Sequence, residues 1–411
     1  MIKYSSMRSD EDAYDCIVLG GGISGVSFAH KLKHAGQRVL IVDENASLGG
    51  QIRTYQSKTH PDFCCGLGAH TCYNSYTHLL SMVRESGAED IIQEIENYSY
   101  VVYTEGKIRS IFSQLNKFEL LLHCRKMFFS KKKGMTVREY FEPLVGKSNY
   151  ASFFSKAFRA VICQNADKYP AELFLKRRAE RYKEIPRKYT FKGGMASLTE
   201  TIVDKDGIDL HLNIHISSIA KNGKLFTVKT SEGKCFSAHN IALAIDPKGA
   251  SELLKDIERP ISELLAAIPI SELESVCVIV KKESVSSIKN IAGILPSSDE
   301  FYSVVSRDTL SHPSLRAFTF HFERGKHDKE KQLSIACKVL EIEPEQVLET
   351  SSMSHLLPSL GLEHLSLDTA IARNRQNDNV YLLGNYYYGL SLEDCVHRSS
   401  TEFERYKSSL K

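Results

Sequence analysis

Asp15-Cys16-Ile17-Val18-Leu19-Gly20-Gly21-Gly22-Ile23-Ser24-Gly25 runs a short apolar strand into a G-x-G-x-x-G turn, and a helical stretch follows through Lys33. Each glycine has its own task in such a turn. Gly20 permits the tight bend, Gly22 lets the backbone approach a dinucleotide pyrophosphate, and Gly25 lets the helix pack on the strand, with the helix N-terminus facing the anion. Ile23 and Ser24 lie in the same turn and are candidate contacts. A second strand, Arg38–Val42, ends in Asp43 and Glu44, near the ~20-residue spacing at which an acid meets a ribose hydroxyl. Asp43 is the expected contact, with Glu44 beside it. Strand, turn, helix, strand and acid in this order predict a dinucleotide site rather than an unliganded glycine-rich turn.

Directly after the acids comes Leu48-Gly49-Gly50-Gln51-Ile52-Arg53-Thr54. Here the chain resembles the amine-oxidase-like flavoprotein superfamily, in which E-x5-G-G-R-x-x-T continues the fingerprint with its glycines and basic residue against the FAD phosphates. The resemblance implies FAD. Gly49 and Gly50 match, Asp43 replaces the usual Glu, and Gln51 replaces the usual Arg, so that Arg53 is expected to supply the charge. Phe191-Lys192-Gly193-Gly194-Met195-Ala196-Ser197-Leu198 resembles the G-G-M-x-x-L segment of the same superfamily. Ile216, after His211-Leu212-Asn213-Ile214-His215, matches the residue whose backbone touches the adenine.

The C-terminal Gly384-Asn385-Tyr386-Tyr387-Tyr388-Gly389-Leu390-Ser391-Leu392-Glu393-Asp394-Cys395 resembles the protoporphyrinogen oxidase family. That family carries Gly-Asn, a few residues, Gly-x-x-x-x-Asp-Cys, then a last helix whose N-terminus points at the flavin pyrimidine edge. A helix end there stabilises the negative charge of reduced flavin. The resemblance implies that Gly384, Asn385, Ser391 and Leu392 lie at the flavin. It also implies oxidation of a porphyrinogen by hydride transfer to FAD, with oxygen or a quinone as acceptor. Read alone, Asn385 is also a turn residue after a strand, and Asp394 a helix-start acid.

Three other readings stay open. The fold also suits an amine oxidase or desaturase acting on a small amine, with Tyr386, Tyr387 and Tyr388 as an aromatic wall. Gly68-Ala69-His70 resembles the G-P-H turn of UDP-galactopyranose mutase, a non-redox flavoenzyme, although the C-terminal string speaks against it. A flavin with a purely structural role is the remaining alternative. No second G-x-G-x-x-G follows, which argues against a reductase fed by a nicotinamide cofactor. His70, with Gly68 and Ala69 in a segment that in related flavoenzymes passes the ring, is the candidate catalytic residue. Its unperturbed pKa near ~6.5 suits proton shuttling, and a structural role is the alternative. Lys281 reads as an exposed strand end or a flavin-side lysine. Arg177, Arg178 and Arg181 read as carboxylate partners or as surface charges.

Composition is that of an ordinary globular protein: 42% hydrophobic residues and a formal net charge of +3 across 411 residues. Length alone suggests two to three domains of ~150 residues. So slight a charge gives no reason to expect nucleic acid as a partner. Lys131-Lys132-Lys133, with Arg125 and Lys126, reads as a solvated face or a peripheral contact with an anionic membrane. No signal peptide and no membrane span are recognised, so a cytoplasmic protein is expected, with peripheral contact at the inner membrane face left open. The ten cysteines form no C-x-x-C pair and read as reduced and mostly buried, Cys395 included. His60, His70 and His78 lack ligand spacing, and no metal is expected. Oligomeric state is not readable.

The expected fold class is α/β: a three-layer, Rossmann-type FAD-binding domain assembled from discontinuous segments, with a mixed α+β substrate domain and a helical insert. The FAD-binding pieces are placed at 10–85, 190–250 and 370–411, the helical insert at 86–189 and the substrate domain at 251–369. Thr136 and Glu139 predict a capping box at a helix start in the insert. A helix is expected near Ser251–Leu265, and strands at Ser275–Val280 and Arg316–His321 suggest a sheet floor under a substrate cavity.

Overall fold

The computed structural model describes residues 13–123 and 131–410. Its centre is a parallel sheet in the order Asp209–His211, Val39–Val42, Tyr14–Leu19, Cys235–Leu243. The last of these branches. Its second half pairs in parallel with Val380–Leu382, while its first half pairs antiparallel with Leu225–Thr230, which in turn pairs with Ile216–Asn222. Strands covered on both faces must be apolar at every position. Tyr14–Leu19 shows why: Cys16 and Val18 enter one core while Ile17 and Leu19 enter the other. The first core is roofed by helices Ile23–His34, Thr77–Glu85, Ser197–Asp206 and Leu392–Ser409. The three layers and the discontinuous assembly expected from the sequence are present.

The second sheet runs in the order Val347–Pro358, Ile270–Lys281, Leu315–Glu323, Ser303–Ser306, Gly293–Pro296, Tyr100–Thr104, Lys107–Ser110. Its last two strands correct the reading of residues 86–189 as mostly helical. Glu105 and Gly106 both adopt positive φ (50° and 74°), the geometry of a two-residue hairpin turn, and the β-branched and aromatic Tyr100–Thr104 precedes it. Ile92–Glu94 and Lys188–Phe191 are also strands. The helix Val137–Val145 starts with the expected capping box, Thr136 Oγ1 accepting from Glu139 N and the Glu139 carboxylate accepting from Thr136 N. The helix expected near Ser251–Leu265 is two helices, Pro247–Leu254, capped by Asp246, and Arg259–Ala266, with Pro260 in its first turn. Proline cannot continue a helix from its N-terminal side, which explains the break.

Inside the second sheet the Arg316 guanidinium meets the Asp308 carboxylate at 2.8 and 2.5 Å and donates to the carbonyls of Val285, Ile288 and Lys289. The hairpin Thr54–Gln56/Cys64–Gly66 joins the two sheets. It is clamped by Thr319 Oγ1 donating to Gly66 O at 2.9 Å, by Arg307 donating to Cys64 O, and by a buried Cys65–Cys277 thiol contact at 2.7 Å. No helix among the described residues is long and apolar enough to cross a membrane.

Candidate active site

The turn after Tyr14–Leu19 is a backbone cradle. Gly20 has φ 105°, and a Cβ there would sit 2.6 Å from Ala244 O; one on Gly25 would sit 1.9 Å from Gly20 O. These two glycines are demanded by the protein itself. Gly22 differs: its φ of −77° suits any residue, and a Cβ would meet nothing nearer than Gly50 Cα at 3.8 Å. Gly22 pairs with Gly49 across a short bridge, and Gly50 faces it, so two glycine-lined backbones bound one space. Gly22 caps the helix Ile23–His34 without a side-chain hydrogen bond, and no acid lies in its first turn. The N–H groups of that turn and the positive end of the helix are therefore left for an anion. Beside the cradle, Arg53 Nε is buried with no hydrogen-bond partner. An orphaned buried guanidinium nitrogen and a cradle that side chains would fill fit the diphosphate of FAD.

Asp43 lies at the end of its strand, 7% exposed. Its Oδ2 accepts from Gly21 N at 2.7 Å, and its Oδ1 accepts from Asn45 N and Nδ2 at 2.8 Å. It braces the glycine turn, with further lone pairs on each oxygen for a hydroxyl donor. Glu44 points to solvent beside His215. Ile216 opens the strand that pairs with Leu225–Thr230. Gly384 (φ 139°) and Asn385 form the turn after Val380–Leu382, with Asn385 partly exposed.

Ser391 caps the last helix, its Oγ accepting from Asp394 N and donating to Asp394 Oδ2 at 2.6 Å, with Leu392 as the first helical residue. Lys176 and Arg178 both reach Asp394 Oδ1, at 2.9 and 3.0 Å. Glu393 accepts from His78 N and Leu79 N, capping Thr77–Glu85, and burial raises its carboxyl above the usual range. Two of the three tyrosines turn away from the suggested wall. Tyr386 and Tyr387 are buried in the core, and the Arg398 guanidinium lies 3.6 Å over the Tyr387 ring. Cys395 is likewise buried.

Opposite the cradle, the second sheet presents histidines. A Cβ on Gly68 would strike Gln51 O at 1.9 Å, so the segment Gly68-Ala69-His70 lies flush against the glycine loop. His355 Nδ1 sits 2.6 Å from Gln51 Oε1 and its Nε2 is 2.8 Å from Ser275 Oγ. The amide oxygen only accepts, so Nδ1 carries the proton and Nε2 receives the serine hydroxyl. His321 Nδ1 lies 3.1 Å from Ser303 Oγ. Burial holds His321 down at about 3, with further lowering from His355 and His70. Burial holds His355 at about 4, and the nearby Arg53 charge lowers it further. Burial also lowers His70. All three imidazoles are neutral near pH 7.

His321 and His355 escaped the sequence reading. The signal was the period of two along each strand: Thr319 and His321 share one face, and the sheet register sets Ser275 opposite His321 and Cys277 opposite Thr319. Lys281 is a surface residue beside Glu283. Arg181 donates to Asn74, and Arg177 is exposed. Lys132 donates to the carbonyls of Phe174 and Leu175, so the lysine run is not a uniformly solvated patch. Arg125 and Lys126 fall outside the described residues.

Residues 18–86 match the NAD(P)-binding Rossmann-like domain, and residues 122–397 match the family described as flavin containing amine oxidoreductase. Among curated proteins, the probable flavin-containing monoamine oxidase A of Dictyostelium discoideum is 24% identical over 58% of this chain and 59% of its own length. A flavin-containing amine oxidase of Danio rerio is 22% identical over 70% of this chain and 61% of its own. The chain thus spans about three fifths of the length of these relatives. A solved structure from Exiguobacterium sp. 255-15, provisionally named a protoporphyrinogen oxidase, superposes with a TM-score of 0.77 over 96% of this chain and 98% of its own, at 15% identity. Cyclohexylamine oxidase of Brevibacterium oxydans IH-35A gives 0.72 over 97% of this chain and 100% of its own, at 14% identity. At such identities the likeness shows the fold. The glycine cradle, the two-sheet architecture and the match over residues 122–397 agree: the chain belongs to the flavin containing amine oxidoreductase family, with FAD as its cofactor.

Proposed function

We propose that the protein is an FAD-dependent oxidase that removes a hydride from a carbon bonded to nitrogen in a small amine, with oxygen or a quinone as the final acceptor. The observation that carries this reading is the Gly68-Ala69-His70 segment lying flush against the glycine loop at Gln51, with His355 hydrogen-bonded to Gln51 beside it. FAD, when bound, supplies the hydride acceptor. An amine surrenders a hydride from its α-carbon only when the nitrogen is uncharged. A neutral imidazole beside the substrate nitrogen relays that proton towards solvent, and the burial that lowers its pKa makes it pass the proton on instead of keeping it. His70 is the residue assigned to that proton, while His355 and His321 shape the pocket through Gln51 and Ser303.

Gly20, Gly22, Ile23, Ser24, Gly25, Gly49, Gly50 and Arg53 are assigned to the diphosphate, Asp43 to the ribose, and Ile216 to the adenine. Asn385, Ser391 and Leu392 are assigned to the flavin end. The names of the curated relatives agree with an amine substrate.

A second reading, oxidation of a porphyrinogen, is favoured by the Gly384–Cys395 string and by the name of the Exiguobacterium neighbour. The test is turnover by the FAD-loaded protein, following peroxide release with primary amines and porphyrin fluorescence with protoporphyrinogen. Peroxide with an amine supports the proposal, and porphyrin formation alone replaces it with the second reading. Inertness to both, with a flavin that dithionite still reduces, overturns both and favours a non-redox isomerase.

A further inference from the structure

His30 and His34 stand four residues apart on the helix Ile23–His34 and so share one face. Between them lies Asp206, the last residue of the helix Ser197–Asp206. Its Oδ2 is 2.7 Å from His30 Nδ1 and its Oδ1 is 3.1 Å from His34 Nε2. The three candidate ligand atoms lie within 4.8 Å of one another. The other ring nitrogen of His30, Nε2, is 3.0 Å from Glu85 Oε2, at the end of the helix Thr77–Glu85. Ser86 Oγ sits 3.1 Å from His30 Nδ1. The His30 side chain is fully buried and that of Asp206 is 3% exposed.

We propose that these residues form a divalent transition-metal site of the zinc class, with His30 Nδ1, His34 Nε2 and the Asp206 carboxylate as ligands and Glu85 as the carboxylate that orients His30. Two imidazoles and a carboxylate are a zinc donor set, and a fourth position beside the Ser86 hydroxyl is filled by water. The placement of Glu85 is independent of the ligand cluster itself and points the same way. A metal-bound histidine characteristically donates its other N–H to a carboxylate, which fixes the tautomer and raises ligand basicity. His30 faces a carboxylate oxygen at each ring nitrogen, an arrangement met either by an imidazolium with two N–H groups or by a cation on Nδ1. With a metal bound, the Nδ1 lone pair goes to the cation and Nε2–H goes to Glu85, and metal uptake distinguishes this from the imidazolium pair.

The backbone adds to the demand for positive charge. His34, Glu85 and Asp206 are each the final residue of a helix, so three negative dipole ends converge with two carboxylates. His30 lies about 10 Å along its helix from the first residue after the glycine turn, at ~1.5 Å per residue. The site is therefore separate from the flavin cradle, and its role is to staple three helices that roof the FAD-binding sheet.

The test uses the full-length, FAD-loaded protein, stripped with a chelator, dialysed and titrated with Zn2+ and with Co2+. Expected are one ion per chain, Co2+ d–d bands of low coordination number and a rise in Tm on metal addition. His34 is half exposed, so His34→Gln keeps the fold and is expected to abolish binding. Glu85→Gln, which removes no ligand, is expected to weaken it about 10- to 100-fold. Failure of the wild-type protein to take up either ion at micromolar concentration overturns the proposal. So does a His34→Gln variant that binds as the wild type does.

Discussion

Gln51 Oε1 lies 2.6 Å from His355 Nδ1, so the loop that closes the glycine cradle is hydrogen-bonded to the edge strand of the second sheet. An arginine at position 51, usual in related flavoproteins, has no acceptor to offer that imidazole. Gln51→Glu keeps the acceptor and adds a negative charge beside His355. A neighbouring carboxylate raises an imidazole pKa by about 1 unit or more. An NMR titration of the His355 imidazole is therefore expected to show its pKa raised in this variant, while Gln51→Arg breaks the bond and lowers turnover.

The same histidines couple stability to pH. Folded His355 and His321 titrate at about 4 and about 3, whereas the unfolded chain protonates its histidines near the ordinary value of 6.5. Below that value the unfolded state binds more protons, so stability is full above about pH 6.5 and falls as the pH drops towards 4 and then 3. His355 accounts for about 3 kcal/mol and His321 for about 5 kcal/mol across that window. Urea unfolding at pH 7 and pH 5 should show the loss, and His321→Phe should flatten the slope.

Gly22 and Gly25 should separate binding from folding. Gly22→Ala places its methyl in open space and is expected to cost the protein under about 1 kcal/mol, yet the variant should purify without yellow colour. Gly25→Ala drives a methyl to 1.9 Å from Gly20 O. Overpacking of this kind costs about 3 kcal/mol or more and should remove the fold along with the flavin. Circular dichroism beside the flavin absorbance distinguishes the two outcomes.

Arg53 should behave as a ligand contact and not as a structural one. Its Nε has no partner within the protein, so Arg53→Leu removes no internal bond at that atom. A lost charge-assisted hydrogen bond to phosphate is worth about 1.5–3 kcal/mol, or about 10- to 100-fold in FAD affinity. Fluorescence titration of apoprotein with FAD measures this directly, and the Tm of the apoprotein should hold.

Arg316 and Asp308 make the opposite case. Both are buried, and the guanidinium also satisfies three carbonyls. Asp308→Asn leaves a buried cation uncompensated and should destabilise the protein by about 3–5 kcal/mol in chemical denaturation.

What was readable in the sequence is what the chain writes locally. Gly20 to Gly25 encode a turn within six neighbouring residues, and Thr136 and Glu139 encode a cap within one helical turn. The apolar strands of the central sheet are buried on both sides and declare themselves by composition. His321 and His355 could not be placed by such signals, because only sheet register and the clamped hairpin bring His355 to Gln51 and Gly68 and set His321 beside Ser303. Tyr386–Tyr388 misled for the same reason: an aromatic run suits a flavin wall and a core equally, and Arg398 lying over Tyr387 draws it inward. The hairpin at Glu105-Gly106 was visible in principle, yet it lies among helical segments and joins a sheet whose other strands come more than a hundred residues later.

The most direct measurement is anaerobic stopped-flow mixing of the FAD-loaded protein with a primary amine and with the same amine deuterated at the α-carbon, following the flavin absorbance band. Bleaching by the amine, slowed by deuterium, is the predicted result, because the α-carbon hydrogen leaves as hydride. A flavin that stays oxidised with every amine while dithionite still bleaches it would contradict amine oxidation.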